Sequence, residues 1–115
     1  GQVQVVLATA ADDSTVKLWD PFTGTARGTL QPQQQGPQAG AVLAVAVHGD
    51  LVAGACADGS CRLWSQQSLR QKERLVGHQQ KVCAVVFCAG GKTLVTGSHD
   101  CSIKVWDLSR GWSAN

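Results

Sequence analysis

Read for hydrophobic and polar positions, the chain divides into short apolar runs separated by turns of Gly, Asp and Ser. Runs such as 41–47, 51–56 and 82–87 are rich in Val and too short for helices, so they predict strands. Those at 41–47 and 82–87 are apolar at nearly every position and are expected to be buried on both faces. The segments before Trp19, Trp64 and Trp106 alternate instead. There Val16 and Leu18, Leu63, and Ile103 and Val105 are interleaved with Lys17, Arg62 and Lys104, so one face of each strand is expected to meet solvent. Ten strands follow, at about 3–9, 14–19, 25–30, 41–47, 51–56, 60–64, 69–75, 82–87, 93–98 and 102–107, with no helix.

Laid over itself, the chain repeats. AADDSTVKLWD ends at Asp20, CADGSCRLWS at Ser65 and SHDCSIKVWD at Asp107, and their tryptophans lie 45 and 42 residues apart. Asp13, Asp58 and Asp100 each stand six residues before the tryptophan of their copy, which fixes a common register. Upstream, AVLAVAV at 41–47 matches KVCAVVF at 81–87. The repeat divides the chain into a leading half unit at 1–20, a second unit at 21–65, a third at 66–107 and a tail at 108–115. Residues 31–40, dense in Gln, Gly and Pro, are expected to be a mobile connection inside the second unit, because the strand pattern resumes in phase after them.

A period of this length with Gly-His near the start and Trp-Asp at the end resembles the WD40 repeat family. The third unit is the clearest copy, opening on Gly77-His78 and closing on Val105-Trp106-Asp107. The second has Pro37-Gln38 in place of Gly-His and Ser65 in place of the final Asp, and the first keeps only Leu18-Trp19-Asp20. The resemblance implies an all-β fold: antiparallel four-stranded blades around a central axis, with about 4 to 8 blades in a closed ring. Two and a half blades do not close, so the expectation is a fragment of a longer propeller. The remaining blades would be its first partner, and without them its sheet edges are open to aggregation. The absence of an initiating Met points the same way.

His78, Ser98 and Asp100 have the residue types of a hydrolase triad. The resemblance implies instead a structural tetrad, with His78, Ser98, Asp100 and the Trp106 indole hydrogen-bonded inside the blade. A blade interior offers the serine neither a substrate pocket nor oxyanion donors, and buried polar groups need such partners. The matching places hold Gln38, Cys56, Asp58 and Trp64 in the second unit, and Ala11, Asp13 and Trp19 in the first. Both of these units are expected to hold their turns less firmly.

By position in the family, the residues of a peptide-binding rim are Lys81, Cys83 and His99, with Leu43 and Asp12 at matching places and Ala41 and Ala57 too small to anchor much. Cys83, Cys88, His99 and Cys101 lack the paired short spacing of a zinc site, and the cysteines are expected to be buried, small apolar thiols, with no metal and no cofactor. The glycines fit no phosphate-binding loop, and no small-molecule substrate is expected.

Composition narrows the picture further. A net charge of +2 and a pI of about 8.4 fall short of a nucleic-acid binder. The local excess of Arg62, Arg70, Lys72, Arg74 and Lys81 over Glu73 is expected to be a solvated outer strand. No stretch of about 20 apolar residues is present to span a membrane. Five cysteines, an odd number set in apolar runs, indicate an intracellular protein of the cytoplasm or nucleus. The expected function is a non-catalytic interaction scaffold for proteins or peptides. The alternative is an accessory sensor propeller of a larger enzyme or nucleotide-regulated machine whose catalytic domain lies elsewhere.

Overall fold

The structure, a computed structural model, describes residues 7–10, 15–31, 40–108 and 113–114. These form eleven strands in three antiparallel sheets. The first sheet contains β1 (Leu7–Ala10), β2 (Val16–Trp19) and β3 (Ala26–Leu30), in that order. The second contains β4 (Val42–His48), β5 (Leu51–Cys56), β6 (Ser60–Ser65) and β7 (Gln71–Val76). The third contains β8 (Val82–Cys88), β9 (Thr93–Ser98), β10 (Ile103–Asp107) and β11 (Ser113–Ala114). A 3₁₀ turn at Ala89–Gly91 links β8 to β9. The meander follows from the sequence, because short Val-rich runs joined by tight Gly and Asp turns can pair only with their neighbours in the chain.

Each sheet runs one strand past the Trp-Asp position that ends the sequence repeat. β3, which the repeat places in the second unit, is bonded to β2, and the expected tail supplies β11 beside β10. The segments holding Asp12, Asp13 and Gln38 lie outside the described residues.

Two apolar clusters bond the sheets face to face. Val16, Leu18 and Leu30 of the first sheet meet Val42, Val52, Cys56 and Trp64 of the second. Ala53, Cys61, Leu63 and Leu75 of the second meet Leu94 and Trp106 of the third, with Val85 and Phe87 packed alongside. Burying these side chains is the main force that joins the sheets.

Burial does not follow the simple reading of the sequence. β4 and β8, expected to be buried on both faces, are half-exposed, because each is the innermost strand of its sheet and has a partner on one edge only. The most deeply buried strands are the central pair of the middle sheet, with every residue of β6 and all of β5 after Leu51 buried. Arg62, expected at the surface, is 1% exposed, since a sheet between two others has no solvent face.

Candidate functional site

At one end of the third sheet, four side chains form a hydrogen-bonded row. The Trp106 Nε1–H donates to Thr96 Oγ1 at 3.0 Å, and Thr96 Oγ1 lies 2.8 Å from His78 Nε2. On its other side, His78 Nδ1 lies 3.3 Å from Asp100 Oδ2 and 3.0 Å from Ser102 Oγ. An indole can only donate and a carboxylate can only accept, so with a neutral imidazole the protons point along the row from Trp106 to Asp100. His78, Thr96 and Trp106 are buried, where an unpaired polar group would be costly.

The hydroxyl in this row belongs to Thr96, where the resemblance implied Ser98. The two lie on one face of β9, two residues apart, so strand alternation alone does not choose between them. The register does: Thr96 is directly opposite Lys104, within reach of the Trp106 ring, whereas Ser98 lies beyond. The Ser98 hydroxyl instead faces the loop before β8, donating to the carbonyls of Lys81 at 2.9 Å and Gln80 at 3.1 Å, and accepts the Asp100 N–H at 3.1 Å. It therefore ties that loop to the turn. Asp100 also accepts from Gln79 N and Ser102 N, both at 2.9 Å, and from the Ser102 hydroxyl. The Ser102 hydroxyl bond, followed by the Gln79 amide, holds its carboxyl well below the usual carboxylate range.

The middle sheet satisfies the same positions differently. Gly54 stands where Thr96 does, and the Trp64 ring fills the space: Cζ3 lies 2.8 Å from where a Cβ would be. The Trp64 indole donates to the Gln31 carbonyl of the preceding sheet at 2.8 Å. Asp58 keeps its bonds to Ser60, from N at 2.9 Å and Oγ at 2.5 Å. In place of an imidazole it receives Arg62 Nη2 at 3.1 Å, with Arg74 Nη2 at 4.0 Å. The basic excess read from the sequence is thus divided, with Arg70 and Lys72 exposed and Arg62 and Arg74 turned onto Asp58. In the first sheet, the Trp19 indole donates to Thr9 Oγ1 at 3.0 Å.

Thr9 and Thr96 each precede their tryptophan by ten residues, as Gly54 precedes Trp64. That spacing was available in the sequence and would have separated Thr96 from Ser98.

The rim candidates gather at the start of the innermost strands. Leu43 is the extra residue of a β-bulge between Val42 and Ala44, and Cys83 is the extra residue of the equivalent bulge between Val82 and Ala84. A bulge re-aims a side chain at a sheet margin. Leu43 is 41% exposed, and Lys81, Cys83 and His99 are exposed. The turn and the loop before the inner strand are joined alike in both sheets, by His99 N to Lys81 O at 3.1 Å and by Ala57 N to Ala41 O at 2.9 Å.

Cys83, Cys88 and Cys101 are exposed, not buried as expected, while Cys56 and Cys61 are buried. Desolvation, then the Asp58 carboxylate, pushes the Cys56 thiol up to about 11, and burial pushes Cys61 up as well. No cluster of His, Cys, Asp or Glu suited to a metal occurs among the described residues. Among the described residues, no helix is long and apolar enough to cross a membrane.

Consecutive meandering sheets packed face to face, each pinned by a tryptophan, define a β-propeller. The family model for the WD domain, G-beta repeat, matches residues 2–20, 28–65 and 69–107. Protein tipD of Dictyostelium discoideum is 35% identical over 109 residues, covering 93% of this chain and 17% of that protein. Autophagy-related protein 16 of Arabidopsis thaliana is 36% identical over 112 residues, covering 95% of this chain and 21% of that protein. The crystal structure of RRP9 WD40 repeats superposes with a TM-score of 0.83 at 26% identity, covering 96% of this chain and 34% of that one. The chain belongs to the WD40 repeat family, whose members generally act as protein-interaction scaffolds and are generally non-catalytic. It spans about a fifth of the length of these curated relatives.

Proposed function

We propose that this chain is a non-catalytic scaffold that takes a peptide segment of a partner protein on the rim formed by Lys81, Cys83, His99 and Leu43. The observation that supports this most is the repeated bulge. Two sheets independently turn one residue out of the inner strand at the same place, beside an exposed turn held by the same backbone bond. Such a surface is pre-formed, so binding requires little rearrangement. Asp12, the corresponding candidate of the first sheet, is retained in the proposal on its sequence position alone. His78 and Asp100 serve as internal fasteners, which leaves the rim side chains free to vary with the partner.

All five thiols are unpaired, which supports a reducing intracellular setting. If a larger protein surrounds this segment, catalytic or nucleotide-binding chemistry belongs to its other parts.

A random peptide library displayed on phage and selected on the protein supplies the probe, and fluorescence polarisation then measures its affinity. Changing Lys81→Ala and His99→Ala together is expected to weaken binding at least about tenfold, equivalent to 1.4 kcal/mol, with unfolding unchanged. Equal affinity for both proteins removes the rim from the proposal.

A further inference from the structure

The rim carries different chemistry on its second and third sheets. In the third, the exposed positions hold Lys81 and His99; in the second, the matching positions hold Ala41 and Ala57, with Leu43 turned out beside them. The two parts are continuous. The Gly59 turn of the second sheet packs so closely on the loop before β8 that a Cβ there would lie 3.2 Å from the Gln80 carbonyl oxygen. The exposure of these positions does not depend on which sheets flank them, because the second sheet is covered on both faces and yet Leu43 and Ala57 stay exposed.

The basic charge at this end is not cancelled from within. The carboxylates nearest to it, Asp58 and Asp100, are both folded back into their own turns. Asp100 accepts from the Gln79 amide, from Ser102 and from His78. Asp58 accepts from Ser60 and is outnumbered by Arg62 and Arg74. Asp20 and Asp50 belong to turns at the opposite strand ends, Asp107 ends β10 there, and Glu73 lies on β7. Among the described residues, neither Lys81 nor His99 forms an ion pair. The His99 N–H donates to the Lys81 carbonyl at 3.1 Å, so the two side chains start from neighbouring points.

We propose that this part of the rim takes an acidic peptide, with an Asp or Glu side chain between Lys81 and His99 and an apolar side chain against Leu43. The inference rests on the rim reading above and adds the chemistry of the partner to it. A carboxylate held at so exposed a site adds little affinity, but it selects partners of one sign and speeds their encounter.

The test takes peptides selected on the protein from a random library displayed on phage. They are expected to be enriched in Asp and Glu beside an apolar residue, and synthetic versions with that acid changed to its amide are expected to bind about threefold to fivefold more weakly. Lys81→Glu is expected to weaken the original peptides about tenfold and to favour versions with Lys in place of the acid. Lys92→Glu makes the same change of net charge at the opposite end of the third sheet and is expected to leave affinity as it was. Thermal unfolding of both variants is expected to match the native protein, since both lysines are exposed. If Lys81→Ala with His99→Ala weakens binding but the amide versions bind as well as the acids, or Lys92→Glu acts as strongly as Lys81→Glu, the acidic partner is overturned and the rim reading stands. Peptides indifferent to every rim substitution, or a library that yields no binder, overturn both.

Discussion

The second and third sheets solve one problem with different chemistry. Each has a carboxylate in the turn between its two central strands and a tryptophan six residues later, and each must satisfy a buried indole and a partly exposed carboxylate. The third does so with a linear row in which Thr96 and His78 connect Trp106 to Asp100. The second separates the two demands: Trp64 reaches across to the Gln31 carbonyl, and Asp58 is met by Arg62 from its own strand. With Gly54 at the place of Thr96, no hydroxyl stands beside the Trp64 indole to connect it to a second polar side chain of its own sheet. Matching side chains position by position does not foresee that Arg62 supplies Asp58 with an ion pair in the second sheet.

The largest test of this contrast removes that compensation. Arg62→Met leaves Asp58 with Arg74 at 4.0 Å as its remaining ion-pair partner. The cost is expected to approach about 3 kcal/mol, the lower end for breaking a buried pair, because the carboxylate is partly exposed. The corresponding change in the third sheet, Lys104→Met, is expected to stay within about 0.5 kcal/mol, since His78 and Ser102 already serve Asp100. Urea titrations showing equal losses would mean that the two carboxylates are not satisfied in the different ways described.

Next in size is Thr96→Val, which preserves the shape but strands the indole N–H and the imidazole nitrogen. A loss of about 1–3 kcal/mol is expected. In the middle sheet the equivalent glycine fails for the opposite reason: Gly54→Ala puts a methyl against Trp64 and is expected to cost about 1–3 kcal/mol by overpacking. Scanning calorimetry on the two variants, and on the double variant for additivity, separates a lost bond from a clash.

The turn residue after each carboxylate sharpens the comparison at smaller scale. Gly59 has φ +90°, and a Cβ there would lie 2.8 Å from the His78 carbonyl. Cys101 occupies the same place in the third sheet with φ +68°, a conformation that disfavours any side chain. Cys101→Gly is therefore expected to stabilise by about 0.5–1 kcal/mol, and Gly59→Ala to destabilise by more than that. Thermal unfolding that moved in the same direction for both would refute the assignment.

The smallest expected effect is one of pH. Asp100 binds its proton less readily in the folded chain than its ordinary value of 3.8. Its contribution is therefore complete above that value and is lost as the pH falls below it toward the folded value. Hydrogen-exchange protection of β9 and β10, corrected for the intrinsic exchange rate at each pH, should fall in acid in the native protein and lose that dependence in Asp100→Asn. An unaltered profile in the variant would assign the acid sensitivity elsewhere.

What the sequence determined by itself is the element type and the register. Val-rich runs of strand length, Asp-to-Trp spacings and Gly turns are local properties, and local physics reads them directly. The equivalence of Trp19, Trp64 and Trp106 needed nothing more. Only the tertiary structure decided which polar groups meet. Thr96 and Ser98 are the same kind of donor on the same face, and the choice between them depends on where the Trp106 ring reaches across the ladder. It also decided that Arg62 is interior while Lys17 is exposed, although both alternate with apolar residues in the same way. Alternation states which side of a strand a residue takes, whereas burial depends on whether another sheet lies on that side.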